Sequence, residues 1–255
     1  HRGNCPIWTV GEGTNLLARD RGIRGIVISL KNCFKSITRP VFYKTPDGQE
    51  RGVVQTGGGV KLSYLAKFVA RYGLAGIEKL VGIPGSVGGS VAMNAGAEGA
   101  EISQVLRSIK FMTLDGEVKT YSKNELVFAY RKTTFPSKDG IVIEAELDLE
   151  KGETSAIYRE MDKYLSRRGS TQPLTMPNSG SIFKNPDGEK AGRLIELAGL
   201  KGCRIGGASV SIKHANFIVN KGGALAEDVI RLIKHIQTVV EEKTSVKLEQ
   251  EIIVI

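Results

Sequence analysis

The stretch GIPGSVGGSVAMNAGAEG, residues 82–99, limits the fold more than any other part of the chain. Six of its eighteen residues are glycine, one is proline, and only Glu98 is charged. Each interior glycine costs a helix or strand ~0.5–1 kcal/mol relative to alanine, so such a run is held by its surroundings. Two shorter segments repeat the theme. Gly11-Glu12-Gly13 follows the apolar Ile7-Trp8-Thr9-Val10, and Gly57-Gly58-Gly59 follows the strand-like Gly52-Val53-Val54-Gln55-Thr56. Glycine totals 31 of 255 residues, well above the usual ~7%, and no Gly-X-Y period accounts for it. Consecutive unhindered N–H groups beside Ser and Thr hydroxyls form concavities suited to a diphosphate. No Gly-Lys-Ser/Thr follows any of the three, so none is a nucleoside-triphosphate loop. None opens a helix as Gly-x-Gly-x-x-Gly with an acidic residue about 20 positions on, so none is a Rossmann turn. A phosphate-bearing cofactor is the expectation.

With 41% hydrophobic and 25% charged residues, the chain has globular usage. Its apolar runs fall short of the ~18 residues of a membrane helix, so no membrane partner is expected. The opening His-Arg-Gly lacks the regions of a secretory leader, and a start at His1 points to missing preceding residues. Cys5, Cys33 and Cys203 are odd in number and show no Cys-x-x-Cys spacing. Neither a disulfide framework nor a metal site is expected, and the location expected is the cytoplasm. Lys plus Arg exceed Asp plus Glu, 36 against 27, leaving a formal +9. Without a block of five like charges or an aromatic-interleaved basic stripe, that excess suits small polyanions rather than nucleic acid.

Leu62, Leu65, Ala66 and Val69 share one helical face in residues 62–73, stopped by Gly73. Residues 109–121 read as a hairpin turning at Asp115-Gly116. Ile143, Ala145, Leu147 and Leu149 alternate with Glu144, Glu146 and Asp148, the pattern of a half-buried strand. A helix is expected over 154–167 with Ile157, Met161, Tyr164 and Leu165 inward, then a loop and domain boundary over 167–180. Further helices are expected at 190–199 and 225–242, the latter with Val229, Leu232, Ile233, Ile236 and Val240 inward, and a strand over 247–255. The class is α+β, in two lobes.

The 82–99 run closely resembles the flavin-binding loop of the UDP-N-acetylenolpyruvoylglucosamine reductase (MurB) family. GEGTNLL (11–17) resembles that family's first pyrophosphate loop, AYRKTTF (129–135) its Tyr-Arg motif, and NSGSIFKNP (178–186) its serine-containing substrate loop. HANFIVN (214–220) and LEQEI (248–252) match as well, in order along nearly the whole chain. The resemblance implies a two-lobed FAD-binding fold of the vanillyl-alcohol-oxidase (PCMH) type over residues 1–170. It adds a C-terminal α+β substrate-binding domain over 171–246 and a terminal strand, 247–255, carrying a catalytic glutamate. It implies non-covalent FAD, NADPH as co-substrate, UDP-N-acetylglucosamine enolpyruvate as substrate, and a monomer. Family members carry an earlier Thr-x-x-x-x-Gly-Gly segment that is not in this sequence. The short interval between Arg131 and Asn178 leaves no room for a tyrosine-bearing loop, which points to the shorter subclass. The runner-up reading is a flavin oxidase or dehydrogenase of the same fold acting on a small alcohol or hydroxy acid.

Together these readings place cofactor contacts at Gly11, Gly13, Thr14, Asn15, Leu16, Gly57, Gly58, Gly82, Ile83, Pro84, Gly85, Ser86, Gly88, Gly89, Asn94, Ala95 and Gly96. Reducing an enol ether needs hydride at one carbon, a proton at its neighbour, and a cation where charge develops. Arg131 is expected to grip the substrate carboxylate through its planar fork. Ser181 is the expected proton donor, with Lys184 as a candidate helper. Glu251 is the expected partner on the carboxylate side, partly buried if the aliphatic Ile253 and Ile255 share its strand face. Tyr130, Lys184 and Asn185 are expected to bind substrate, Asn185 through its amide donors; Asn216 and Asn220 are weaker candidates.

Overall fold

The computed structural model describes residues 5–137 and 139–255. The first four residues of the expected 1–170 domain, His1 among them, lie outside the described residues. Helices and strands are mixed along the chain in an α+β pattern, and the chain divides into two compact units. One combines the stretch ending at Gly13 with Gly25–Ser166, the other Thr14–Arg24 with Arg167–Ile255.

The N-terminal unit is built on a six-stranded antiparallel sheet ordered Val118–Ser122, Leu106–Thr113, Gly140–Lys151, Glu50–Gly57, Val41–Lys44, with Leu74–Ala75 also pairing to Gly140–Lys151. The alternation expected over 143–149 sets Ala145, Leu147 and Leu149 fully inside. Outward, Glu144, Glu146 and Asp148 pair with Lys110, Arg107 and Arg51. Ile143 departs from the pattern. A register shift between Val142 and Glu144 hands the inward place to Val142 and leaves Ile143 half-buried. This irregularity lies where a Cβ on Gly58 would come 2.0 Å from the Val142 carbonyl oxygen, so only glycine fits there.

Helix Leu62–Ala70 buries Leu62, Leu65, Ala66 and Val69 as its spacing predicts, each large apolar side chain contributing ~1.5–3 kcal/mol. The hairpin forms at Asp115-Gly116 between Leu106–Thr113 and Val118–Ser122. The helix expected over 154–167 runs on as Thr154–Thr171. The Ser170 and Thr171 hydroxyls donate to the Arg167 carbonyl and tie down its last turn. Ile157 and Met161 are buried, but Leu165 is exposed. The division between units falls inside this helix, at 166/167, rather than at the 170/171 read from the sequence.

The C-terminal unit holds an antiparallel sheet ordered Asn178–Ser181, Phe217–Asn220, Ala208–Val210, Arg204–Ile205. Helices Ala191–Leu197 and Ala226–Thr244 share its apolar core through Leu194, Ile195, Leu232, Ile233, Ile236 and Val240. Residues 14–24 are threaded into this unit. Leu16–Leu17 lies parallel to Ile253–Val254, and the Asp20 carboxylate accepts from the Ala226 and Glu227 amides at 2.6 and 3.0 Å. A carboxylate there satisfies orphan donors and complements the helix dipole. Residues 247–255 are therefore part of this unit, and only Ile253–Val254 is regular strand, with an isolated bridge between Phe183 and Gln250.

Candidate active site

In the N-terminal unit the three glycine-rich segments meet, the Gly88 amide of the third donating to the Gly58 carbonyl of the second at 2.8 Å. A Cβ on Gly11 would lie 2.4 Å from the Ser86 hydroxyl oxygen, so the first loop packs its bare backbone on the third. Ser86 caps helix Val87–Ala92 by accepting from the Gly89 amide. The Leu62 and Val87 amides close the turn onto the Gly85 and Val60 carbonyls. The Gly85 and Ser86 N–H groups have no acceptor among the described residues. Glu12 Oε1 and Thr56 Oγ1 are buried beside these loops without a hydrogen-bond partner among the described residues, and buried polar atoms of that kind call for one. Free amides together with buried acceptor oxygens fit a ligand bearing both phosphate and hydroxyl groups, as FAD does.

The second segment works differently. The Gly57, Gly58 and Gly59 amides are donated to the Ser36, Ile143 and Phe34 carbonyls. Cβ atoms at these positions would meet backbone oxygen at 2.0, 2.0 and 1.8 Å. The triplet is glycine because main chain packs on it, and its amides are spent within the protein. This corrects the reading of Gly57 and Gly58 as an amide cradle.

Asn94 is likewise turned inward. It is 1% exposed with φ +40°. Its Nδ2 donates to Glu101 Oε2 at 2.7 Å and to the Ala129 carbonyl at 3.1 Å, and its Oδ1 accepts from the Ser103 amide. The side chain ties the end of the glycine run to the Tyr130-Arg131 turn instead of facing a ligand, correcting its assignment as a direct contact. Gly96 stands at that junction: a Cβ there would lie 3.3 Å from Arg131 Nη1.

Arg131 occupies the tip of the hairpin between Val127–Ala129 and Lys132–Thr134, with φ +59°. A non-glycine residue in that region costs ~1–3 kcal/mol and persists only where its surroundings impose it. Here the Thr133 hydroxyl bonds the Val91 carbonyl at 2.5 Å, and the Asn94 amide holds Ala129. The guanidinium lies over the Tyr130 ring, 4.7 Å from its centroid. Tyr130, 43% exposed, is therefore a platform for Arg131 as well as an open aromatic face.

The C-terminal unit gathers Ser181 and Glu251. The Glu251 amide donates to the Ile182 carbonyl at 2.7 Å and the Lys184 amide to the Glu249 carbonyl at 2.9 Å, which lays the terminal segment along the serine loop. The Ser179 hydroxyl donates to the Leu16 carbonyl at 3.2 Å and the Asn15 amide to the Glu251 carbonyl at 3.2 Å. Thr14, Asn15 and Leu16 thus sit within this unit. Leu248 and Ile252 point inward, whereas Glu249 and Ile253 are exposed and Glu251 is half-buried. Glu249, Glu251 and Ile253 therefore lie opposite the inward Leu248 and Ile252, with Glu251 partly buried.

Two expected substrate contacts have protein partners. Lys184 Nζ pairs with Glu249 at 2.5 Å, and Asn185 Oδ1 accepts from the Ala191 amide at 3.0 Å, capping helix Ala191–Leu197. Only the Nδ2 donors of Asn185 are left for a ligand. Asn216 is buried and exchanges two hydrogen bonds with the Phe183 main chain, and Asn220 accepts from Gly222 and Ala224. The His214 Nδ1 accepts from the Asn216 amide at 3.3 Å, and burial, aided by Lys201, holds its pKa below the ordinary value. The sequence reading missed Thr133 and Asp20, whose partners lie 42 to 207 residues away; no local pattern marks them. Among the described residues no group of three or more His, Cys, Asp or Glu could hold a metal, and no helix is long and apolar enough to cross a membrane.

Comparison with known proteins finds two family matches along the chain. Residues 1–122 match a family described as FAD binding domain, and residues 172–255 match the UDP-N-acetylenolpyruvoylglucosamine reductase C-terminal domain. UDP-N-acetylenolpyruvoylglucosamine reductase 2 of Symbiobacterium thermophilum is 43% identical over 97% of this chain and 77% of its own length. The Bacillus licheniformis UDP-N-acetylenolpyruvoylglucosamine reductase is 45% identical over 97% of this chain and 79% of its own. Among solved structures, UDP-N-acetylenolpyruvylglucosamine reductase (MurB) from Thermus caldophilus superposes with a TM-score of 0.80 and 37% identity, covering 98% of this chain and 86% of that one. On identity sustained over nearly its entire length, the chain belongs to the UDP-N-acetylenolpyruvoylglucosamine reductase (MurB) family.

Proposed function

We propose that this chain reduces the enol double bond of UDP-N-acetylglucosamine enolpyruvate with electrons from NADPH, giving UDP-N-acetylmuramate in a cytoplasmic step of peptidoglycan precursor synthesis. FAD, when bound, supplies the two-electron hydride chemistry that no side chain provides. In the N-terminal unit Gly11, Gly13 and the 82–89 loop would hold its diphosphate. Arg131 holds the substrate carboxylate, where negative charge grows as the hydride arrives; its fork fixes two oxygens and never loses its proton. Ser181 delivers a proton to the neighbouring carbon, and Glu251 serves the carboxylate side of the substrate as acid and hydrogen-bond partner. Substrate binding falls to Tyr130 and to the Nδ2 donors of Asn185. Lys184 stays paired to Glu249 and steadies the terminal segment.

The observation that carries this reading is the hydrogen bond from the Glu251 amide to the Ile182 carbonyl, which sets the terminal glutamate beside the serine loop. A simple alcohol oxidase needs neither group. Without oxygen, NADPH consumption should depend on the enolpyruvyl substrate, and one UDP-N-acetylmuramate should form per NADPH. Oxygen consumption driven by small alcohols or hydroxy acids, with no response to the enolpyruvyl sugar, would establish the oxidase instead.

A further inference from the structure

Asn15 lies in a segment that reads as a diphosphate loop, yet its hydrogen bonds run elsewhere. Its Nδ2 donates to the Glu251 carbonyl at 3.2 Å, and its own carbonyl accepts from the Ile253 amide at 3.0 Å. The two bonds straddle Ile252, which is 3% exposed and anchors the inward face of the terminal segment. The Glu251 amide, for its part, donates to the Ile182 carbonyl at 2.7 Å. The main chain of Glu251 is thus fastened at its N–H to the serine loop and at its C=O to Asn15. The residue after Asn15 holds the serine loop as well, through the Ser179 hydroxyl on the Leu16 carbonyl.

We propose that Asn15 is a positioning residue for Glu251: its carboxamide fixes the Glu251 main chain, and so the place of the carboxylate beside the Ser181 loop. This rests on the reading of Glu251 as the acid of the substrate-reducing step. Regular strand at this end of the chain covers only Ile253–Val254, so the stretch carrying Glu251 is held on one side by the Phe183–Gln250 bridge and on the other by the Asn15 side chain. A misplacement of about 1 Å in a catalytic group can cost ~10²-fold in rate. The bond needs an N–H donor, which asparagine has and an ionised aspartate of the same shape lacks.

The test uses the FAD-loaded full chain with Asn15→Asp and Asn15→Ala, alone and combined with Glu251→Gln. Flavin content, bleaching by NADPH and anaerobic reoxidation by UDP-N-acetylglucosamine enolpyruvate are read separately. In both single variants, flavin content and bleaching should stay within about 2-fold of the unmodified chain while reoxidation slows ~10- to 100-fold. On top of Glu251→Gln, either change should add less than about 2-fold, because a group acting through Glu251 has nothing left to place. Parallel loss of flavin, full additivity, unchanged reoxidation, or failure of both variants to fold would each overturn the proposal. Normal reoxidation in Glu251→Gln alone would sink the underlying role of Glu251, an outcome separate from a silent Asn15.

Discussion

The Thr133 hydroxyl donates to the Val91 carbonyl over 2.5 Å, clipping the hairpin that presents Arg131 onto the helix that leaves the glycine loop. Thr133 is buried and Val91 belongs to helix Val87–Ala92. Thr133→Val keeps the shape and removes the bond, at a cost of about 1 kcal/mol. Turnover should fall more steeply than this small loss of stability implies, with flavin content retained. Thermal melting and steady-state kinetics on the same preparation check it; unchanged turnover would mean that the clip does not govern Arg131.

Arg131→Lys should lower turnover at least ~10²-fold, the scale of losing one transition-state donor, while flavin content stays near normal. Lysine keeps the charge but not the fork. If flavin is lost in step with activity, Arg131 holds up the loop instead of the substrate.

Gly11→Ala places a methyl 2.4 Å from the Ser86 oxygen, so the Ser86 hydroxyl must turn away and give up its cap on the Gly89 amide, or the loops must shift. The expected result is a protein that folds but purifies with markedly less flavin, read from the ratio of visible to ultraviolet absorbance. Full flavin content would show that the contact of Gly11 with Ser86 does not shape the cofactor loop.

His214 gives stability a pH dependence. Burial lowers its pKa from the ordinary 6.5, so the unfolded chain takes up the proton first as pH falls. The contribution of this group is fully present above pH 6.5 and is lost progressively below it, until the folded state protonates too. Urea midpoints measured between pH 7.5 and 5 should decline, and His214→Gln should flatten part of that decline. An identical slope in the variant would remove His214 as its source.

Much of this fold is legible in the sequence because its patterns are local. The stripe of Leu62, Leu65, Ala66 and Val69, the Asp115-Gly116 turn and the inward Leu232, Ile233, Ile236 and Val240 depend only on spacing. The irregularity at Ile143 was not legible, because its cause is the close approach of Gly58. Nor was the inward turn of Asn94, whose partners Glu101 and Ala129 come from two other segments. At the carboxyl end Leu248 and Ile252 take the buried face and Ile253 does not, a choice set by pairing with Leu16–Leu17 across more than half the chain and with Ile182. Glycine content by itself does not separate two uses. Gly57 to Gly59 admit main chain, while the Gly85 and Ser86 amides have no acceptor among the described residues.

The most direct measurement is an anaerobic two-step reaction of the FAD-loaded chain with Ser181→Ala beside the unmodified protein. NADPH should bleach the flavin in both. UDP-N-acetylglucosamine enolpyruvate should then restore the yellow colour promptly in the unmodified chain and not in the variant. Prompt return of colour in Ser181→Ala, or no return in either, would contradict the account.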